Sequence, residues 1–236
     1  LGYQFNWALY GILSVQIYIY YQARMLDNYL TKSVVYGIYL VETVQTILAT
    51  HDAWHEFAID GGSCAGLLAL NLNWLSIPII TGFTSATIQC YYAWRIRILS
   101  RSNIVAAFIA ALAVMQGSAA IAEGITAVTQ QDVAKLQAET LKITTVWLGG
   151  TAACDVIIAS IMVYSLARGR TGFKSTDLIL NKLIRATVET GLCTALLATT
   201  ELVLFLVFKH NFYHTLPSLM LSKLYSNSLL VLLNNR

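Results

Sequence analysis

Charge is scarce in this chain. Asp, Glu, Lys and Arg together make up 11% of its 236 residues, against roughly 25% in an ordinary soluble domain. A soluble domain of this length buries a good core but still needs a charged surface, so the scarcity argues against one. The formal net charge is only +3, which leaves no basic face for nucleic acid. Proline is nearly missing, with two residues in the whole chain, so helices can run long and mostly unbroken. Glycine, at 14 residues, is far too sparse for a collagen. No Walker, Rossmann or kinase glycine motif occurs in a strand–turn–helix setting. The four cysteines are Cys64, Cys90, Cys154 and Cys193. They form no CxxC, and only Cys64 falls in an expected loop, so no extracellular disulfide is implied. What is abundant is apolar surface: 57% of residues are hydrophobic and the mean hydropathy is +0.62. Lipid is the solvent that fits such a chain.

A helix needs about 20 mainly apolar residues to cross the hydrocarbon core. Seven such stretches use nearly the whole chain and predict one all-α transmembrane domain over 1–236. The expected spans are 1–22, 33–50, 66–94, 104–128, 143–167, 183–208 and 217–233. The first is a weak signal because of Tyr10, Gln16, Tyr18, Tyr20 and Tyr21. The first charged residue is Arg24, so the N-terminus lacks the basic region of a secretory signal and reads as a retained span. Pro78 predicts a kink in the third span. Polar outer loops are expected from His51 and over 129–142, and a long basic inner loop over 168–182. Lys and Arg near the span ends fall eleven on one side and three on the other, with Lys223 inside a span. The positive-inside rule then places the N-terminus outside and the C-terminus in the cytoplasm.

Several motifs bring a family to mind. They are Leu9-Tyr10-Gly11 with Gln16-Ile17-Tyr18-Ile19-Tyr20, then Thr171-Gly172-Phe173 with Thr176-Asp177, then Leu183-Ile184-Arg185 and Glu189-Thr190-Gly191. The closing run Lys223-Leu224-Tyr225-Ser226-Asn227-Ser228-Leu229-Leu230, with Asn234 and Arg236, is the most specific. Together these resemble a large family of multi-pass membrane proteins of mushroom-forming fungi, filed as a domain of unknown function. The resemblance spans nearly the whole chain. It implies a fungal seven-span protein of the plasma membrane or an endomembrane, and it carries no activity or functional residue.

An ionisable group at mid-bilayer costs at least ~2.5 kcal/mol on insertion scales, so those inside spans need partners or water. Glu201 and Lys223 fall at matching depths on neighbouring antiparallel spans, and the depth match predicts that they pair. Glu123 reaches a similar outer-half level. The three suit either a structural ion pair or the floor of an outward-facing pocket, with Trp74 and Trp147 as cage candidates. Near the midplane lie Glu42, with Gln45, Thr43 and Thr46, and Asp155, with Thr151. They must face into the bundle, as a hydrogen-bond network or as a proton or substrate relay, and burial without a cation can keep such a carboxyl protonated. Arg185 and Glu189, four apart, predict a helical pair. All four histidines fall on the outer side. His51 with His55, and His210 with His214, have the four-residue spacing of metal ligands, with Asp52 and Glu56 nearby. Solvated interfacial histidines are the plainer reading, so no metal is favoured and no cofactor is predicted. Tyr3, Trp54, Trp74, Tyr91, Tyr92, Trp94, Trp147 and Tyr213 read as interfacial belts. Gly149-Gly150 and Ala152-Ala153 offer a small-residue face for the bundle or a homo-oligomer.

Three function classes stay open. The first is a receptor-like, ligand- or lipid-sensing bundle with an outward-facing polar pocket, partnered by membrane lipids and a small apolar ligand. The second is an intramembrane enzyme using Glu42, Asp155, Glu123 or the histidines on a lipid or terpenoid-like substrate. The third is a proton-coupled transporter, which should show repeat halves and broken spans. Lys223 in the last span brings a retinal Schiff base to mind, but Leu219 stands four residues before it and the third span holds no carboxylate.

Overall fold

A computed structural model describes residues 1–23, 27–59, 72–129, 133–168, 174–208 and 212–235. All the regular structure there is helical, in seven long helices: α1 Gly2–Gln22, α2 Tyr29–Trp54, α3 Thr81–Ser100, α4 Asn103–Thr129, α5 Val133–Arg168, α6 Lys174–Val207 and α7 Thr215–Asn234. Five stretches are long and apolar enough to cross a membrane: Tyr29–Ile59, Asn103–Thr129, Thr140–Arg168, Leu180–Val207 and Thr215–Asn234. The chain is therefore an integral membrane protein. The tyrosine-rich α1 and the hydroxyl-rich α3 lie outside that set.

Several expected boundaries move. α2 continues past residue 50 and ends in a π-helical turn, His55–Ile59, so the polar run from His51 begins as helix and not as loop. α5 and α6 also absorb Val133–Lys142 and Lys174–Lys182. In each case polar residues extend an apolar helix by further turns, where hydropathy alone puts a loop. Pro78 sits inside a second π-helical turn, Leu75–Ile80, that runs into α3. Proline has no N–H to donate and its ring crowds the preceding turn; the wider turn is the form in which this helix carries it. α3 and α4 meet through Arg101 and Ser102 alone, with Arg101 left-handed at φ 54°.

Each helix packs on the next, and α7 returns to α1 and α2, closing a ring. α3 also reaches across to α5 and α7. α1 and α7 run parallel, since Asn6 bonds the Leu219 carbonyl and Asn234 the Gln16 carbonyl. The last helix is the central one. In its apolar window 78% of residues are buried, against 28–39% in the other four candidate spans. Below, the end of the bundle where α1 and α7 begin is the N-terminal end, and the end where α7 finishes is the C-terminal end.

The tightest helix contact is not the one expected. A Cβ on Gly149 would meet nothing nearer than Leu202 at 3.9 Å, whereas a Cβ on Gly82 of α3 would lie 2.3 Å from the Ala120 methyl of α4. A Cβ on Gly117 of α4 would lie 2.9 Å from the Ala86 methyl. Close approach through small residues therefore belongs to α3 and α4. α2 touches α3 only lightly, and an apolar groove of about 560 Å³ opens between them. Gly82, Ala86 and Gly117 lie along it with Leu30 and Val34 of α2, Phe83, Cys90, Tyr91 and Trp94 of α3, and Val114, Ser118 and Ile121 of α4.

Candidate functional site

The serines of α7 explain where its lysine goes. Ser222, Lys223 and Ser226 share the face toward α2. Glu42 of α2 is fully buried there. Its Oε1 accepts from Ser222 at 2.6 Å and Ser226 at 2.7 Å, and its Oε2 accepts from Lys223 Nζ at 2.5 Å. Lys223 Nζ also donates to the Glu42 carbonyl at 3.1 Å and to Gln45 Oε1 at 2.7 Å. All three ammonium donors are used. The Gln45 amide passes the network on to the Ser76 carbonyl and Thr81, and the Tyr10 ring lies 5.9 Å from the lysine nitrogen. An ion pair in low dielectric holds when its remaining lone pairs and protons are satisfied, and here they are.

The expected Lys223–Glu201 pair is therefore wrong: the lysine pairs with Glu42, which so has a cation. Matching depth fixes height but not direction. Ser218, which donates to Glu201 Oε1 at 2.6 Å, is five residues before Lys223, about 140° around a helix of 3.6 residues per turn. The two residues face different neighbours.

A second network joins α3, α4, α5 and α7. Asp155 Oδ1 accepts from the Gln89 amide at 2.8 Å, and Tyr225 donates a short hydrogen bond to Oδ2. Gln89 Oε1 in turn accepts from the Gln116 amide at 2.6 Å, and Thr151 donates to Gln116 Oε1. Glu42 and Asp155 thus face inward as their cost in lipid requires, and each has donors on both oxygens. Gln89 and Gln116 are the residues that hydropathy reading missed. An amide within an apolar span was the available signal.

The third cluster lies toward the N-terminal end. Glu123 of α4 is within hydrogen-bond reach of Thr144 of α5, and Glu201 of α6 holds Ser218 of α7. The two carboxylates lie within electrostatic reach of each other. Glu123 Oε2 and Glu201 Oε2 are both buried with no hydrogen-bond partner. Trp147, expected at an interface, is 2% exposed. It follows Thr144 by one turn on α5 and packs in a core with Ala120 and Ala198; its indole nitrogen also has no partner. Trp74 is half-buried near Gly124, whose added Cβ would lie 3.0 Å from the Trp74 carbonyl.

At the end of α2, Tyr3 donates to Glu56 at 2.8 Å, and buried Asp52 accepts from the Leu72 amide at 3.2 Å. The His51 and His55 rings lie with centres 4.5 Å apart, tilted by 40°. His214 packs instead edge-on to Phe205, and His210 lies outside the described residues. Among the described residues no group of three or more His, Cys, Asp and Glu is placed to hold a metal ion. The predicted Arg185–Glu189 pair forms at 2.6 Å, with both side chains exposed.

A family of unknown function, DUF6534, matches residues 151–236. That stretch covers the second half of α5 and all of α6 and α7, and it includes Asp155, Glu201, Lys223 and Tyr225. No curated protein and no solved structure matches the chain.

Proposed function

We propose that this chain is a seven-span, receptor-like membrane protein, N-terminus outside, that senses a small apolar or lipid ligand. The groove between α2, α3 and α4 is the ligand site in this reading, entered sideways from the bilayer. One observation carries it: the groove walls back directly onto the second polar network. Cys90 and Tyr91 line the groove, and Gln89 beside them points to Asp155. Gly117 and Ser118 line it too, and Gln116 beside them points to Gln89. Tyr91 also meets Thr31 of α2 at 3.2 Å. A ligand that shifts α3 against α4 therefore acts on Asp155 and Tyr225, and through them on the central helix. A ligand moves such an equilibrium only by binding one arrangement better than the other. For Glu42 and Asp155 the enzyme reading is weaker, because both have donors on both oxygens; of the three acids only Glu123 keeps an oxygen without a donor.

The test is to purify the protein in lipid nanodiscs and identify retained small molecules by native mass spectrometry. An apolar molecule should be retained by the parent protein and released by Val114→Trp, a substitution on an exposed groove wall. Equal retention by both proteins removes the groove as the site. Conversion of the retained molecule to a product points to the enzyme instead.

A further inference from the structure

The hydroxyls along the lateral groove are not alike. Thr87 and Ser118 line it, but each spends its proton on its own helix, Thr87 on the Phe83 carbonyl at 2.7 Å and Ser118 on the Met115 carbonyl at 2.7 Å. Tyr91 also lines it, and its hydroxyl lies 3.2 Å from that of Thr31. Thr43 and Thr46 of α2 donate back to the carbonyls of Tyr39 and Glu42. Thr31 has no helical turn before it to do the same, because α2 begins at Tyr29. Two hydroxyls that share one hydrogen bond keep one proton and three lone pairs over. Among the described residues neither hydroxyl has another partner. Tyr91 is 5% exposed and Thr31 3%, and a sheltered donor without an acceptor is costly.

This pair stands at one end of the groove. Trp94 lies beside it, with ring centres 5.5 Å from Tyr91, and α2 adds Leu30 and Val34 there. From Trp94 back to Gly82, α3 runs roughly 18 Å at 1.5 Å per residue. Over that length Gly82, Ala86 and Gly117 carry nothing larger than a methyl, which keeps the floor free of projections. No Asp, Glu, Lys or Arg lines the groove among the described residues. A phosphate or carboxylate headgroup would find no countercharge on these walls. A flexible acyl chain would lose rotamer freedom on lying still against them, and a rigid ring system has none to lose. The occupant that fits is broad, flat and apolar, with one uncharged group at one end that both donates and accepts.

We infer that the groove takes a sterol, a flat fused-ring lipid with a single hydroxyl, docked with that hydroxyl on the Tyr91–Thr31 pair. The sterol oxygen accepts the spare proton of the pair and donates its own to a spare lone pair, so three hydroxyls close a ring. Its smooth face lies on Gly82, Ala86 and Gly117, and its methyl-bearing face meets Leu30 and Val34. The inference rests on the groove being a ligand site and names the class of ligand and which way round it lies.

The experiment measures saturation binding of tritiated cholesterol to the purified full chain in sterol-free detergent. Binding should saturate, should be lost in Val114→Trp, and should resist competition by oleic acid. 5-Cholestene, the same ring system without the hydroxyl, should compete about threefold to tenfold more weakly than unlabelled cholesterol, the worth of one hydrogen bond. That gap should close in Tyr91→Phe and in Thr31→Val, which each remove one hydroxyl and keep the shape. No saturable cholesterol binding, with a retained apolar molecule still released by Val114→Trp, overturns the sterol and leaves the groove as a ligand site. Efficient displacement by oleic acid overturns it in favour of a chain lipid. Equal competition by cholesterol and 5-cholestene in the parent protein, or a gap that survives both hydroxyl variants, overturns recognition by the pair. Cholesterol binding that Val114→Trp leaves intact overturns the inference as well, because the sterol then sits elsewhere.

Discussion

Two polar regions meet on α7 and differ in how completely they are satisfied. Around Lys223 every charge has a partner and every ammonium proton is placed. Around Glu201, one turn or so nearer the N-terminal end, two carboxylate oxygens are buried with none. Glu201 is as buried as Glu42 and Lys223, so burial does not separate a satisfied network from an unsatisfied one. Satisfaction does. A complete network fixes helix order and direction; an incomplete one is waiting for a proton, an ion or a ligand.

The contrast is broken most violently at the lysine. Lys223→Met strands Glu42 in the core and should cost about 3–5 kcal/mol, as removal of one member of a buried pair does. Adding Glu42→Gln to it should restore much of that loss, since no charge is then left unpaired. Denaturant titration of the purified single and double variants measures the difference. A lysine variant as stable as the parent would mean that the pair contributes nothing. Next in size is Tyr225→Phe, which takes the donor from one oxygen of Asp155 and should cost about 1–3 kcal/mol. If unfolding is unchanged, the second network is looser than its hydrogen bonds imply. The smallest effect belongs to Arg185→Ala. Its partner Glu189 and the arginine are both largely exposed, and surface ion pairs contribute little, so the midpoint should not move.

Much of this arrangement is legible in the residues. Long apolar runs between charged loops give the helices, and the cost of charge in lipid turns Glu42 and Asp155 inward. The four-residue spacing of Arg185 and Glu189 gives their pair. What fails is azimuth. Glu201 and Lys223 match in depth, yet the direction in which each side chain leaves its helix depends on how seven helices rotate against one another. No span carries that information by itself. The serines at 222 and 226 carry a trace of it, because with Lys223 they mark one polar face. Trp147 fails for the same reason: a tryptophan near a span end reads as interfacial until the helix lengthens by several turns and carries it into the core. The close contact of α3 and α4 through Gly82 and Gly117 is likewise a property of two helices at once, whereas Gly149-Gly150 looks stronger in one.

In the proposed sensing reading, the lateral groove and the last helix are coupled through Gln116, Gln89, Asp155 and Tyr225. Amide hydrogen exchange along α7 tests it most directly, comparing the parent protein with its retained apolar molecule against Val114→Trp and against Gln116→Leu. Protection along α7 should fall when the groove is blocked, and in Gln116→Leu it should no longer depend on whether the groove is filled. Identical α7 exchange in the parent protein and in Val114→Trp, with the retained molecule lost only from the latter, would contradict the coupling.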